Sequence, residues 1–98
     1  MLKSMLIHPD DNVAVALDEI PSGAPVTLLG LPGDIQISAQ GAIAFAHKIA
    51  VRPIAAGEPI LKYGVPIAVA TAGISVGEWV HTHNATTLLV SKNGEQKL

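Results

Sequence analysis

Ile54-Ala55-Ala56-Gly57-Glu58-Pro59-Ile60 is one of three copies of the phrase from which this chain is built: an isoleucine, two residues, a glycine, a short spacer and a β-branched residue. The other copies are Ile20-Pro21-Ser22-Gly23-Ala24-Pro25-Val26 and Ile74-Ser75-Val76-Gly77-Glu78-Trp79-Val80. In each, an apolar residue enters a turn, glycine supplies the positive φ that other residues resist, and an apolar residue leaves. The copies begin 34 and 20 residues apart, which excludes a fixed-period solenoid and points to one compact, internally pseudo-repeated unit.

Outward from the turns, the pattern predicts short strands. Residues 12–17 read as a strand after a turn capped by Asp10 or Asp11, and residues 26–29 as a buried strand. Ile35 and Ile37 alternate with Gln36 and Ser38, a half-exposed strand pattern, whereas the alanine-rich residues 39–46 admit a helical turn. Further strands are expected over residues 48–54, 60–63, 65–70, 79–82 and 86–90. Short strands, Gly and Pro turns and at most one or two short helical turns predict an all-β fold. The expected organisation is a lead-in over 1–9, a domain over 10–90 and a flexible polar tail over 91–98.

Composition narrows the function classes. Ninety-eight residues make one small domain, and a single Phe, Tyr and Trp leave its core to Ile, Val, Leu and Ala. A net charge of −2 with six scattered basic residues argues against nucleic-acid binding. No segment is apolar enough to enter a membrane, and the absence of cysteine excludes disulfides and thiolate metal sites. These features fit a cytoplasmic protein, and the high apolar content favours self-association or burial against a partner.

A longer string then carries a resemblance. His47-Lys48-Ile49-Ala50-Val51, Gly57-Glu58-Pro59-Ile60, Lys62-Tyr63-Gly64, Pro66-Ile67 and Gly77-Glu78-Trp79-Val80-His81-Thr82-His83-Asn84 stand in that order, after the opening Pro9-Asp10-Asp11-Asn12-Val13. Together they resemble the SAF-type (β-clip) domain of altronate and galactarate dehydratases, over roughly residues 8–90. The resemblance implies a compact β-clip domain that works as a small subunit, or N-terminal domain, beside a large catalytic subunit. It implies elimination of water from a sugar-acid substrate, with a divalent metal, most often Fe(2+), shared with the large subunit. A related small subunit belongs to a sulfo-lyase acting on sulfolactate, and a docking or regulatory module without chemistry is a third reading.

The candidate site residues follow. His81 and His83 are two apart, so on a strand they would share a face and could close on one metal ion or one anion. They are equally two half-exposed histidines beside a turn, with Asn84 as a cap. His47 is a candidate general acid and Lys48 a point charge for a substrate carboxylate, though adjacent strand positions would face opposite ways. The resemblance adds Lys62 and Asn84 as substrate-binding residues and His81 as catalytic. Glu58 and Glu78 read as solvated turn residues, His8 as having no role, and Trp79 as a core anchor. No nucleophile elbow or phosphate loop is present, and too few acidic residues lie near the histidines to complete a dehydratase site, so the isolated chain is expected to be inactive.

Overall fold

The computed structural model describes residues 1–33 and 35–88. The described residues form nine strands: β1 (Lys3–Met5), β2 (Val13–Ala16), β3 (Pro25–Leu29), β4 (Ile35–Ser38), β5 (Lys48–Ala50), β6 (Pro59–Lys62), β7 (Val65–Ala70), β8 (Trp79–Val80) and β9 (Ala85–Thr87). A six-stranded sheet runs β4-β3-β1-β2-β5-β8 and a three-stranded sheet runs β6-β7-β9. Pairing is antiparallel except between β1 and β3. The fold is the expected all-β one. No helix of the described residues is long and apolar enough to cross a membrane.

The turn phrase occurs four times, not three. Residues 39–46 contain no helical turn; Ile43-Ala44-Phe45-Ala46 is a further copy, with Ala46 at φ 71° where the others carry glycine at 82°, 90° and 92°. Each turn closes by one hydrogen bond: Ala24 N–H to Pro21 O, His47 to Ala44, Glu58 to Ala55 and Glu78 to Ser75. The left-handed residue of each turn donates to an alanine carbonyl at 2.8 Å: Gly23 to Ala39, Ala46 to Ala16, Gly57 to Ala70 and Gly77 to Ala50. The entry isoleucines pair across the turns, Ile20 with Ile43 and Ile54 with Ile74, and all four are buried.

These bonds repeat in the two halves of the chain. Ile20 and Ile43 of the first half correspond to Ile54 and Ile74 of the second, and the β3–β4 hairpin to the β6–β7 hairpin. Two apolar cores result: one around Ile20, Val26, Leu28, Ile43 and Ile49, the other around Ile54, Ile60, Ile74 and Val80 together with Val13 of β2. The halves meet where β5 pairs β8, Lys48 opposite Val80 and Ile49 opposite Trp79.

Asp11 and Asn12 tie the second hairpin to β2. The Asn12 side chain donates to Pro59 O at 2.9 Å and accepts from Leu61 N–H at 2.8 Å, mimicking a strand neighbour. Asp11, fully buried, accepts from the backbone N–H of His8, Tyr63 and Gly64. Tyr63 and Gly64, at φ 58° and 74°, make the two-residue hairpin turn whose N–H groups Asp11 receives. Asp11 therefore caps its own turn at His8 and, fully buried, the β6–β7 hairpin turn as well.

Other boundaries shift. The first nine residues supply β1, whose Ser4 is buried between β2 and β3. The strand expected over 79–82 stops at Val80, because the chain turns at His81 to pair back through Ala85 N–H to His81 O. The last strand covers Ala85–Thr87; residues 89 and 90 of the expected strand and the tail over 91–98 lie outside the described residues.

Candidate functional site

The densest polar chemistry lies where the two halves meet. His47 closes the fourth turn just before β5, and Trp79 opens β8 just after the Ile74 turn. Trp79 Nε1–H donates to His47 Nδ1 at 3.1 Å. Ring centroids lie 5.7 Å apart for His47 and Trp79, 5.0 Å for Trp79 and His81 in a stacked arrangement, and 5.0 Å for Trp79 and His83. His47 and His81 are 5.4 Å apart. One indole thus gathers three imidazoles.

The expectation that His47 and Lys48 diverge does not hold. His47 belongs to the turn, so strand alternation does not govern it, and both residues line one cleft of about 120 Å³ with Ala46, Val80 and His81. Lys48 is half-buried, and burial first, then the charge of Lys62, lowers its pKa from the ordinary lysine value. Lys62 lies outside the cleft lining, with its Nζ 5.2 Å from the Tyr63 ring centroid. Its charge nevertheless reaches Lys48, so the two amines reinforce one positive field. The His81 pKa is also lowered, by desolvation first and then by His47, Lys48 and His83. His81 is therefore held in the neutral form at pH 7.

His81 and His83 do not share a strand face. Both follow β8 in a turn, and their common neighbour is Trp79. His83 borders a separate hollow of about 250 Å³ with Gln40, Glu78 and Trp79. Asn84, expected to meet substrate, is buried and spends its amide on the backbone: Oδ1 accepts from His81 N–H at 2.9 Å and Nδ2 donates to Trp79 O at 2.8 Å. It positions the loop rather than facing the cleft. Glu78 accepts from Ser75 N–H within its own turn, and the His8 ring lies against Gly64. A larger apolar hollow of about 540 Å³, between the Ile20 and Ile43 turns, also ends at Trp79.

Trp79, read from the sequence as a core anchor, holds that place and also gathers the histidines. It packs half-buried against the first core and serves as the platform for the histidines. Its position, as the lone Trp two residues before His81 at a turn exit, was the available signal.

The residues present do not make a metal centre. Among the described residues no group of three or more His, Cys, Asp or Glu is placed to hold a metal ion. His47 accepts a hydrogen bond at Nδ1, so its ring proton sits on Nε2 and neither nitrogen has a lone pair free for a metal. His81 and His83 remain as single imidazoles on one indole, short of a complete ligand set by themselves.

Paired left-handed turns, a two-half β unit and a histidine cluster at the junction define a small β-clip domain of the SAF type. The family model of the altronate/galactarate dehydratase SAF domain matches residues 2–88, and the chain belongs to that family. It is 39% identical over 89 residues to an altronate dehydratase of Bacillus subtilis (strain 168), covering 90% of this chain and 17% of the relative. It is 40% identical over 83 residues to an altronate dehydratase of Escherichia coli (strain K12), covering 85% and 16%. The chain thus spans about a sixth of the length of these two relatives. The (2R)-sulfolactate sulfo-lyase subunit alpha of Chromohalobacter salexigens is 36% identical over 81 residues, covering 80% of this chain and 86% of the relative.

Proposed function

We propose that this chain is the small component of a cytoplasmic hydro-lyase acting on a sugar acid such as altronate. In this reading the cleft between His47 and His81 completes a site on a large catalytic subunit. The observation that carries the reading is the gathering of His47 and His81 on Trp79, with Lys48 in the same cleft. In the elimination a proton leaves C2, the C3–O bond breaks with its electron pair passing to oxygen, and water departs. The resulting enol settles to a 2-keto-3-deoxy acid.

Each group has a fitting task. Lys48 supplies a point charge for the substrate carboxylate, strengthened by partial burial, and Lys62 adds to the field. His47 directs a hydrogen bond to the departing oxygen through Nε2–H. Neutral His81 has a lone pair available to accept a proton or to complete the shared iron's ligand set. The base for C2 and the remaining metal ligands belong to the large subunit in this account.

A second reading follows the similarity to the sulfo-lyase subunit alpha, 36% identical over 81 residues. The same cleft would then serve expulsion of sulfite from sulfolactate, which needs the same carboxylate anchor and the same donor to a leaving anion.

Co-expression with the large subunit, assayed on altronate, galactarate and sulfolactate with ferrous iron, tests this. A 2-keto-3-deoxy acid formed only when both chains are present supports the split dehydratase. Sulfite release supports the second reading. Equal turnover by the large subunit alone contradicts both and leaves a docking module.

A further inference from the structure

The Trp79–His47 hydrogen bond does more than hold two rings together. An indole N–H can only donate, so His47 Nδ1 must offer its lone pair and the imidazole proton must reside on Nε2. His47 Nε2 has no hydrogen-bond partner among the described residues, and His47 lines the cleft with Lys48 and His81. The backbone that carries the indole is itself fixed from both sides. The Asn84 amide holds the Trp79 carbonyl, and Ile49 pairs with Trp79 across β5 and β8.

We propose that Trp79 is a positioning residue that locks His47 in its Nε2–H tautomer, so that His47 presents a hydrogen-bond donor to an anionic oxygen in the cleft and does not ligate metal. The consequence for substrate rests on the lyase reading above; the tautomer does not. A donor beside Lys48 suits an oxygen that gains negative charge, as the departing oxygen does. The opposite tautomer would turn a lone pair toward that oxygen and repel it.

The tautomer is read directly from the ¹⁵N shifts and couplings of the imidazoles in the full chain, with His47→Gln for assignment. The expected pattern is a protonated Nε2 and a bare Nδ1 on His47, and a slowly exchanging indole N–H, which is unambiguous because the chain has one Trp. Trp79→Phe keeps an aromatic ring under His81 and His83 but removes the donor, and should shift His47 toward a mixture of tautomers. In the reconstituted lyase the same variant should lower kcat about 10- to 100-fold with little change in KM. A proton on Nδ1, or an indole N–H exchanging at the free rate, overturns the proposal without needing any variant to fold. Turnover unchanged in Trp79→Phe, with the tautomer lost, overturns the positioning role and leaves the lyase reading standing. If no acid is turned over, the lyase reading fails and the spectra still decide the tautomer.

Discussion

Asn84 grips the backbone of Trp79: its Nδ2 donates to the Trp79 carbonyl at 2.8 Å while its Oδ1 receives the N–H of His81 at 2.9 Å. One buried amide thereby fixes the carbonyl of the platform residue and the start of the histidine loop. Replacing it by alanine leaves two backbone groups without partners, which costs about 1–3 kcal/mol. Asn84→Ala should lower stability by that amount in urea melts and broaden the His81 and His83 signals. Unchanged stability would remove Asn84 from its positioning role.

Lys48 is held partly buried beside another positive charge, a placement that favours substrate binding over stability. Its pKa is lowered in the fold, so at pH 7 the folded state carries an amine that is easier to deprotonate than in the unfolded chain. Being charged at neutral pH is therefore a net cost to folding. Lys48→Met should raise the midpoint of thermal unfolding slightly, by roughly 0.5 kcal/mol or about 3 °C, while raising KM of the reconstituted enzyme. A fall in stability would contradict this balance.

Ala46 and Gly77 occupy corresponding places in two copies of the same turn, with φ of 71° and 92°. Ala46 carries the cost of a left-handed side chain, whereas a Cβ on Gly77 would overlap the Ser38 carbonyl oxygen. Ala46→Gly should therefore stabilise by about 0.5–1 kcal/mol, after the greater freedom of glycine in the unfolded chain is deducted. Gly77→Ala should destabilise by about 3 kcal/mol or more. Denaturant melts showing the same sign for both would contradict the shared turn geometry.

His81 gives stability a pH dependence of known sign. Desolvation, followed by His47, Lys48 and His83, holds its folded pKa below the ordinary value of 6.5. Above about 6.5 the ring is neutral in both states and contributes nothing. As pH falls from there through the folded pKa, the unfolded chain takes up a proton that the folded one refuses, and stability is lost. Melts of the unmodified chain and of His81→Gln should therefore diverge on acidification, with the variant losing less. Parallel curves would contradict the placement of His81.

Three of the four turns were legible because glycine marks the left-handed position, and with them the all-β fold and its internal repetition. The fourth was hidden because Ala46 occupies that position without the marker residue, so an alanine-rich run resembled a helical turn. The same miss misdirected His47, which alternation can place only within a strand. His47, Lys48 and His81 were identified by their chemistry and by family resemblance, and geometry brings those three to one cleft. Asn84 bonds within five residues, as its reading as a cap implies. The roles of Trp79 and Asp11 depend on hydrogen bonds between residues 32 and 53 positions apart, which no local pattern encodes.

The most direct test of the central claim is turnover by the reconstituted two-chain enzyme carrying His47→Ala or His81→Ala, with assembly followed by gel filtration. The account predicts a loss of about 100-fold or more in kcat for each variant, with the complex formed as before. Full turnover by both variants in an intact complex would contradict it and leave the histidine cluster outside the chemistry.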